Sequence, residues 1–116
     1  MIGAIDKYFD TARKHEAVFR NVLRDLKNNR NQRPMGIYVP EDLETEADLE
    51  VIFEKYSHGV RYGRFTITNF QVDLIQKTII IEFSDVACLS GGGAGLRYLI
   101  KGDSVEYQEP EYIMMS

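Results

Sequence analysis

The sequence predicts an α+β fold in which two N-terminal helices pack on a curved four-stranded antiparallel sheet, and three observations predict it. Apolar residues recur at helical spacing as far as Leu26, the pattern changes beyond Gly63 to runs rich in β-branched and aromatic residues, and Gly102-Asp103 separates two alternating runs. At 116 residues the chain has the size of one domain, able to bury roughly two thirds of the surface its unfolded form exposes. No linker, repeat or low-complexity tract divides it, so residues 1–116 read as a single unit.

Ile5, Tyr8, Phe9, Ala12, Phe19, Val22, Leu23 and Leu26 lie three or four apart or in phase with that spacing, which predicts one long amphipathic helix from about Ile5 to Leu26. Asn28 to Pro34 ends it, because amide side chains compete for backbone hydrogen bonds and proline has no N–H to continue the ladder. After a short extended piece, Ile37 to Val39, Pro40 opens an acidic segment. There Thr45 and Asp48 are placed to cap a second helix that runs to about Ser57. Leu49, Ile52, Phe53 and Tyr56 form its stripe, Lys55 and His58 complement its carbonyl end, and Gly59 suits the left-handed cap.

Four strands follow, at about Arg64–Leu74, Thr78–Leu89, Gly95–Lys101 and Ser104–Met115. In the first, Phe65 and Ile67 are in one phase but Phe70, Val72 and Leu74 in the other, which predicts a bulge near Asn69. Glycine in the first position of Gly102-Asp103 predicts a primed hairpin turn, and Pro110 predicts an edge or a break in the last strand.

This order of elements, with the ending GLRYLIKGDSVEYQEPEYIMMS, resembles the cystatin-like and NTF2-like superfamily, carried by Gly95, Tyr98, Gly102, Val105 and Ser116. The tryptophans usual in such endings are absent. The resemblance implies a fold shared by binding modules, dimerisation domains, immunity-type proteins and some enzymes, so it bears on architecture more than on activity.

Composition narrows the functions. Eighteen acidic against fourteen basic residues give a net charge of −4, which repels a phosphate backbone and argues against nucleic acid as a partner. The N-terminal MIGAIDKYFD has neither the basic start of a signal peptide nor an apolar run able to span a membrane, although a leader already removed would leave no trace. Cys88, the only cysteine, excludes an internal disulfide, suits a cytoplasmic location, and reads as a small buried side chain rather than a nucleophile. His15 and His58 do not have metal-ligand spacing, and nothing in the sequence calls for a metal or other cofactor.

Ser90 to Gly95 reads as a flexible strand connection, because the spacing fits no phosphate-binding loop and an alternating strand follows it. Lys55, His58, Arg61 and Arg64, interleaved with Tyr56 and Tyr62, either complement a helix end or hold a small anion or an acidic surface. Asp103, Glu106, Glu109 and Glu111 read as a solvated outer face.

Glu16 is the one local contradiction, because the helical period places it between Ala12 and Phe19 within the apolar stripe. Either it faces a partner or a pocket there, or the stripe rotates and Glu16 reaches solvent past Phe19. No set of acid, base and nucleophile emerges, so the sequence points to a non-catalytic module that binds a protein or small molecule, of immunity or regulatory type. The alternative is an NTF2-like receptor or enzyme whose pocket, between the first helix and the sheet, is lined by Glu16, Tyr98 and Tyr107. Ile80 and Leu99, opposite in phase to Ile79, Ile81 and Phe83, suggest a homodimer formed through the sheet.

Overall fold

A computed structural model describes residues 7–33, 48–57, 65–85 and 92–114. Its elements are α1 (Lys7–Lys14), α2 (Glu16–Asn28), a 3-10 turn (Arg30–Gln32), α3 (Leu49–Ser57), and strands β1 (Phe65–Asp73), β2 (Thr78–Asp85), β3 (Gly92–Lys101) and β4 (Ser104–Met114). The strands form one antiparallel meander in sequence order, with the helices packed on one face. The expected α+β architecture is therefore present. His58, Arg61, Arg64 and Cys88 lie outside the described residues, as do Thr45 and the extended piece at Ile37 to Val39.

The long N-terminal helix divides at His15, whose φ of −124° and ψ of 48° leave the helical region. Hydrogen bonding bridges the joint, since the His15 N–H donates to the Thr11 carbonyl and the Phe19 N–H to the His15 carbonyl. The joint lets both segments keep their apolar sides on the sheet. Tyr8 and Ala12 of α1 and Phe19, Val22, Leu23 and Leu26 of α2 are all buried.

These residues meet Ile67, Phe70, Ile79, Ile81, Phe83, Leu96 and Tyr98 from the inner face of the sheet, with Ile52 and Phe53 from α3. Aromatic rings fill the centre. Phe53 stacks on Phe9 at 4.2 Å and meets Tyr8 edge-on at 5.5 Å, while Phe19 meets Phe70 edge-on at 5.0 Å. At the rim Arg13 lies over the Phe53 ring at 5.1 Å and pairs with Glu50 at 2.8 Å, fastening α1 to α3.

The sheet contains the expected bulge. Between β1 and β2 the register passes from Ile67↔Phe83 to Asn69↔Glu82, leaving Thr68 unpaired and bringing Phe70 and Val72 into phase with the core. Two further irregularities, around Gln108 and Glu111, bracket Pro110 in β4, where the ladder cannot use a proline N–H. At the β3–β4 hairpin Gly102 alone of the two central residues has positive φ (61°), as a type II′ turn with leading glycine requires.

The glycine-rich stretch departs from the expected connection: β3 begins at Gly92, so Gly92 to Gly95 belong to the strand. At Gly93 an added Cβ would lie 2.5 Å from the Phe83 carbonyl oxygen across the ladder. Close strand approach, rather than loop freedom, requires the glycine there.

On the outer face Ile80 and Leu99 are half-buried, as are Thr78 and Glu82, whereas Gln71, Asp73, Arg97, Glu106 and Glu109 are exposed. The face is thus polar and mostly acidic around two apolar side chains.

Gly93→Ala is expected to destabilise the protein by about 1–3 kcal/mol, because a β-strand backbone must move to admit the methyl group. Thermal unfolding measures it, and an unchanged melting temperature would show that the strands part without cost.

Candidate functional site

Asp25 lies on α2 between the buried stripe and the polar side, and it collects the principal polar cluster of the described residues. Arg33, just beyond the 3-10 turn, donates from Nε to Asp25 Oδ2 and from Nη2 to Oδ1, both at 2.9 Å. The Tyr98 hydroxyl of β3 donates to Oδ2 at 2.8 Å, and the Asn29 amide to Oδ1 at 3.1 Å. Four donors thus occupy the roughly four lone-pair directions of one carboxylate.

The Arg33 guanidinium also lies 4.1 Å from the centre of the Tyr107 ring, which meets Tyr98 edge-on at 5.5 Å. Side-chain exposure is 13% for Arg33 and 16% for Asp25, so the bidentate pair is largely shielded from water. Electrostatics follow the geometry. Burial first, and then the Asp25 charge, hold the Tyr98 phenol far above the ordinary tyrosine range, while the hydrogen bond to Asp25 raises the Arg33 guanidinium further.

The cluster closes the end of α2 against β3 and β4. Beside it the Asn21 amide donates to the Asp103 carbonyl at 2.6 Å, and Arg24 donates to the Asn21 side chain. Asn21, Arg24, Asp25, Asn28, Asn29 and Ser104 border a shallow recess of about 220 Å3.

Two of the sequence candidates, Tyr98 and Tyr107, therefore meet. Glu16 does not join them: its side chain is 51% exposed and bonds to Arg20 at 2.8 Å. The break at His15 is the physical reason, since Glu16 becomes the first residue of a new helix, where a carboxylate is favoured by the helix dipole. The stripe rotates there, and the second of the two sequence alternatives for Glu16 describes the structure.

Sequence reasoning passed over Asp25, Asn29 and Arg33. Only Asn29, four residues after Asp25, carried a local signal; Arg33 returns to Asp25 through the 3-10 turn beyond the end of α2, and no helical spacing announces that return.

Among the described residues no three His, Cys, Asp or Glu side chains converge as a metal site requires, and no helix is long and apolar enough to cross a membrane. No protein-family model matches the chain, and no curated protein or solved structure matches it significantly.

Asp25→Ala is expected to cost about 2–4 kcal/mol, because it strands a shielded guanidinium and a buried hydroxyl, whereas Tyr98→Phe should cost about 1 kcal/mol. A double-mutant cycle from chemical denaturation checks the pair, and strict additivity would refute their coupling.

Because the folded state holds the Tyr98 proton more tightly than the unfolded state, its contribution is complete below a pH of about 10 and is lost as the pH rises above it. Tyr98→Phe should therefore show a shallower alkaline loss of stability than the parent, and parallel profiles would refute the assignment.

Proposed function

We propose that this protein is a non-catalytic interaction module, with an immunity-type or regulatory role as its setting. The single observation that carries the reading is the contrast between the Asp25 cluster and the β1–β2 turn. The polar groups that the fold gathers are spent on one another, so they act as a fastening rather than as a reactive set. Leu74 and Ile75, by contrast, are 61% and 95% exposed at the turn, where the side chains serve no core.

The arrangement of helices on an antiparallel meander supports the same reading, as a scaffold on which strand connections do the binding, in keeping with the resemblance of the sequence to the cystatin-like superfamily. The receptor alternative needs open space between the helices and the sheet. Tyr98, which would line it, is fully buried among core side chains with its hydroxyl committed to Asp25.

Amide chemical-shift mapping with a mixed set of short peptides and small-molecule fragments tests the reading. Perturbations at Leu74 to Thr78 or on the outer sheet face are expected from peptides. Fragments that shift Tyr98, Tyr107 and the core side of α2, with peptides inert, would favour a small-molecule pocket and overturn the proposal.

A homodimer through the sheet is a second reading, supported by Ile80 and Leu99, which lie diagonally adjacent on the outer face. Light scattering at about a hundred micromolar is expected to report a dimer if this face supports an interface of ordinary size, and a monomer would reject it.

A further inference from the structure

The recess beside the Asp25 cluster holds a positive charge that the fold leaves unspent. Arg13, Arg20 and Arg33 each pair with a carboxylate. Arg24 does not. Among the described residues its guanidinium bonds only to the Asn21 side chain, although Arg24 is half-buried and borders the recess where α2 meets the start of β4. A partly shielded guanidinium without a counter-charge is costly unless something supplies one.

The guanidinium is also held in place. The Asn21 amide donates to the Asp103 carbonyl at 2.6 Å, and the Asn21 side-chain oxygen accepts from Arg24 Nη1, so the β3–β4 turn fixes the amide and the amide fixes the arginine. Asn21, Arg24 and Asn28 fall at i, i+3 and i+7 along one side of α2. With Asp25, Asn29, Ser104 and Val105 they border the recess of about 220 Å3, which has room for a small polar group.

The hydrogen-bonding capacity left over in the recess is mostly that of donors. Asp25 is its one bordering carboxylate, but Arg33, Tyr98 and Asn29 fill the Asp25 lone pairs, and Arg33 neutralises its charge. The Asn29 amide is engaged by Asp25, and the Ser104 hydroxyl donates to the Lys101 carbonyl at 3.1 Å. What remains are the other N–H groups of Arg24, the second hydrogen of the Asn21 amide and the exposed Asn28 amide. Glu106 is paired with Lys101 at 3.4 Å, and Asp103 lies on the exposed turn outside the border. The recess therefore combines surplus donors with one uncompensated cation.

We propose that this recess binds a carboxylate group, held by Arg24 with the Asn21 and Asn28 amides. The planar fork of a guanidinium matches the two oxygens of a carboxylate. One uncompensated cation balances a monoanion better than a phosphate dianion, which a chain of net charge −4 would further repel. The carboxylate belongs to a small organic acid or to the C-terminus of a partner chain, and the chemistry of capture is the same for both. The site does not depend on the interaction-module reading.

The full chain is titrated with N-acetylglycine at constant ionic strength, while NMR follows the backbone amides, the Asn21 and Asn28 side-chain amides and the Arg24 Nε–H. N-acetylglycinamide, which lacks the charge, inorganic phosphate, and a short alanine peptide with a free C-terminus are titrated in parallel. Saturable shifts at Asn21, Arg24 and Asn28 are expected with N-acetylglycine, none with the amide, and weaker binding with phosphate. Arg24→Gln should abolish the shifts. Arg24→Lys should weaken binding by about tenfold, because lysine keeps the charge and loses the fork, and Asn28→Ala by about threefold. Thermal melts show that the variants remain folded, and the parent titration decides the question even where one does not. In support of the proposal, tighter binding of the peptide than of N-acetylglycine identifies a partner chain as the source, and equal or weaker binding a small acid. The proposal is overturned if N-acetylglycine gives no saturable shifts at these groups, if the amide or phosphate binds as well, or if folded Arg24→Gln binds unchanged. The interaction-module reading is tested at Leu74 to Thr78 and on the outer sheet face, so either can fail without the other.

Discussion

Much of the tertiary arrangement depends on one carboxylate. Asp25 receives Asn29 from the cap of α2, Arg33 from beyond the turn that follows and Tyr98 from β3, so one side chain ties the helix end to the sheet. A shielded charge is costly unless its hydrogen-bonding capacity is filled, and here four donors fill it. Arg33 then covers Tyr107, extending the fastening to β4.

That arrangement governs what the interior can do. With the Tyr98 hydroxyl bound to Asp25 and its ring against Tyr107, the inner face of β3 is occupied by packing, and the rings of Tyr8, Phe19, Phe53 and Phe70 occupy the space under the helices. Close packing of this kind transmits the position of one element to the next. The bulge at Thr68 and the irregularities around Pro110 allow long strands to keep their apolar side chains on the helical layer. At the β1–β2 turn the backbone is ordered by Asp73, yet Leu74 and Ile75 are left exposed.

The sequence by itself determined the α+β class, the four strands, the bulge in β1 and the turn at Gly102, because each depends on local periodicity or on a backbone conformation that glycine favours. It also brought Tyr98 and Tyr107 to notice. Tertiary structure decided the rest. Whether Glu16 faced the core depended on a joint at His15, and nothing in a helical repeat announces a change of φ and ψ at one residue. The close contact at Gly93 arises from the Phe83 carbonyl across the ladder, ten residues away in sequence, so the glycine run read as a loop. The role of Asp25 required the end of α2, the turn after it and β3 to meet, and that convergence of distant segments is a property of packing rather than of spacing.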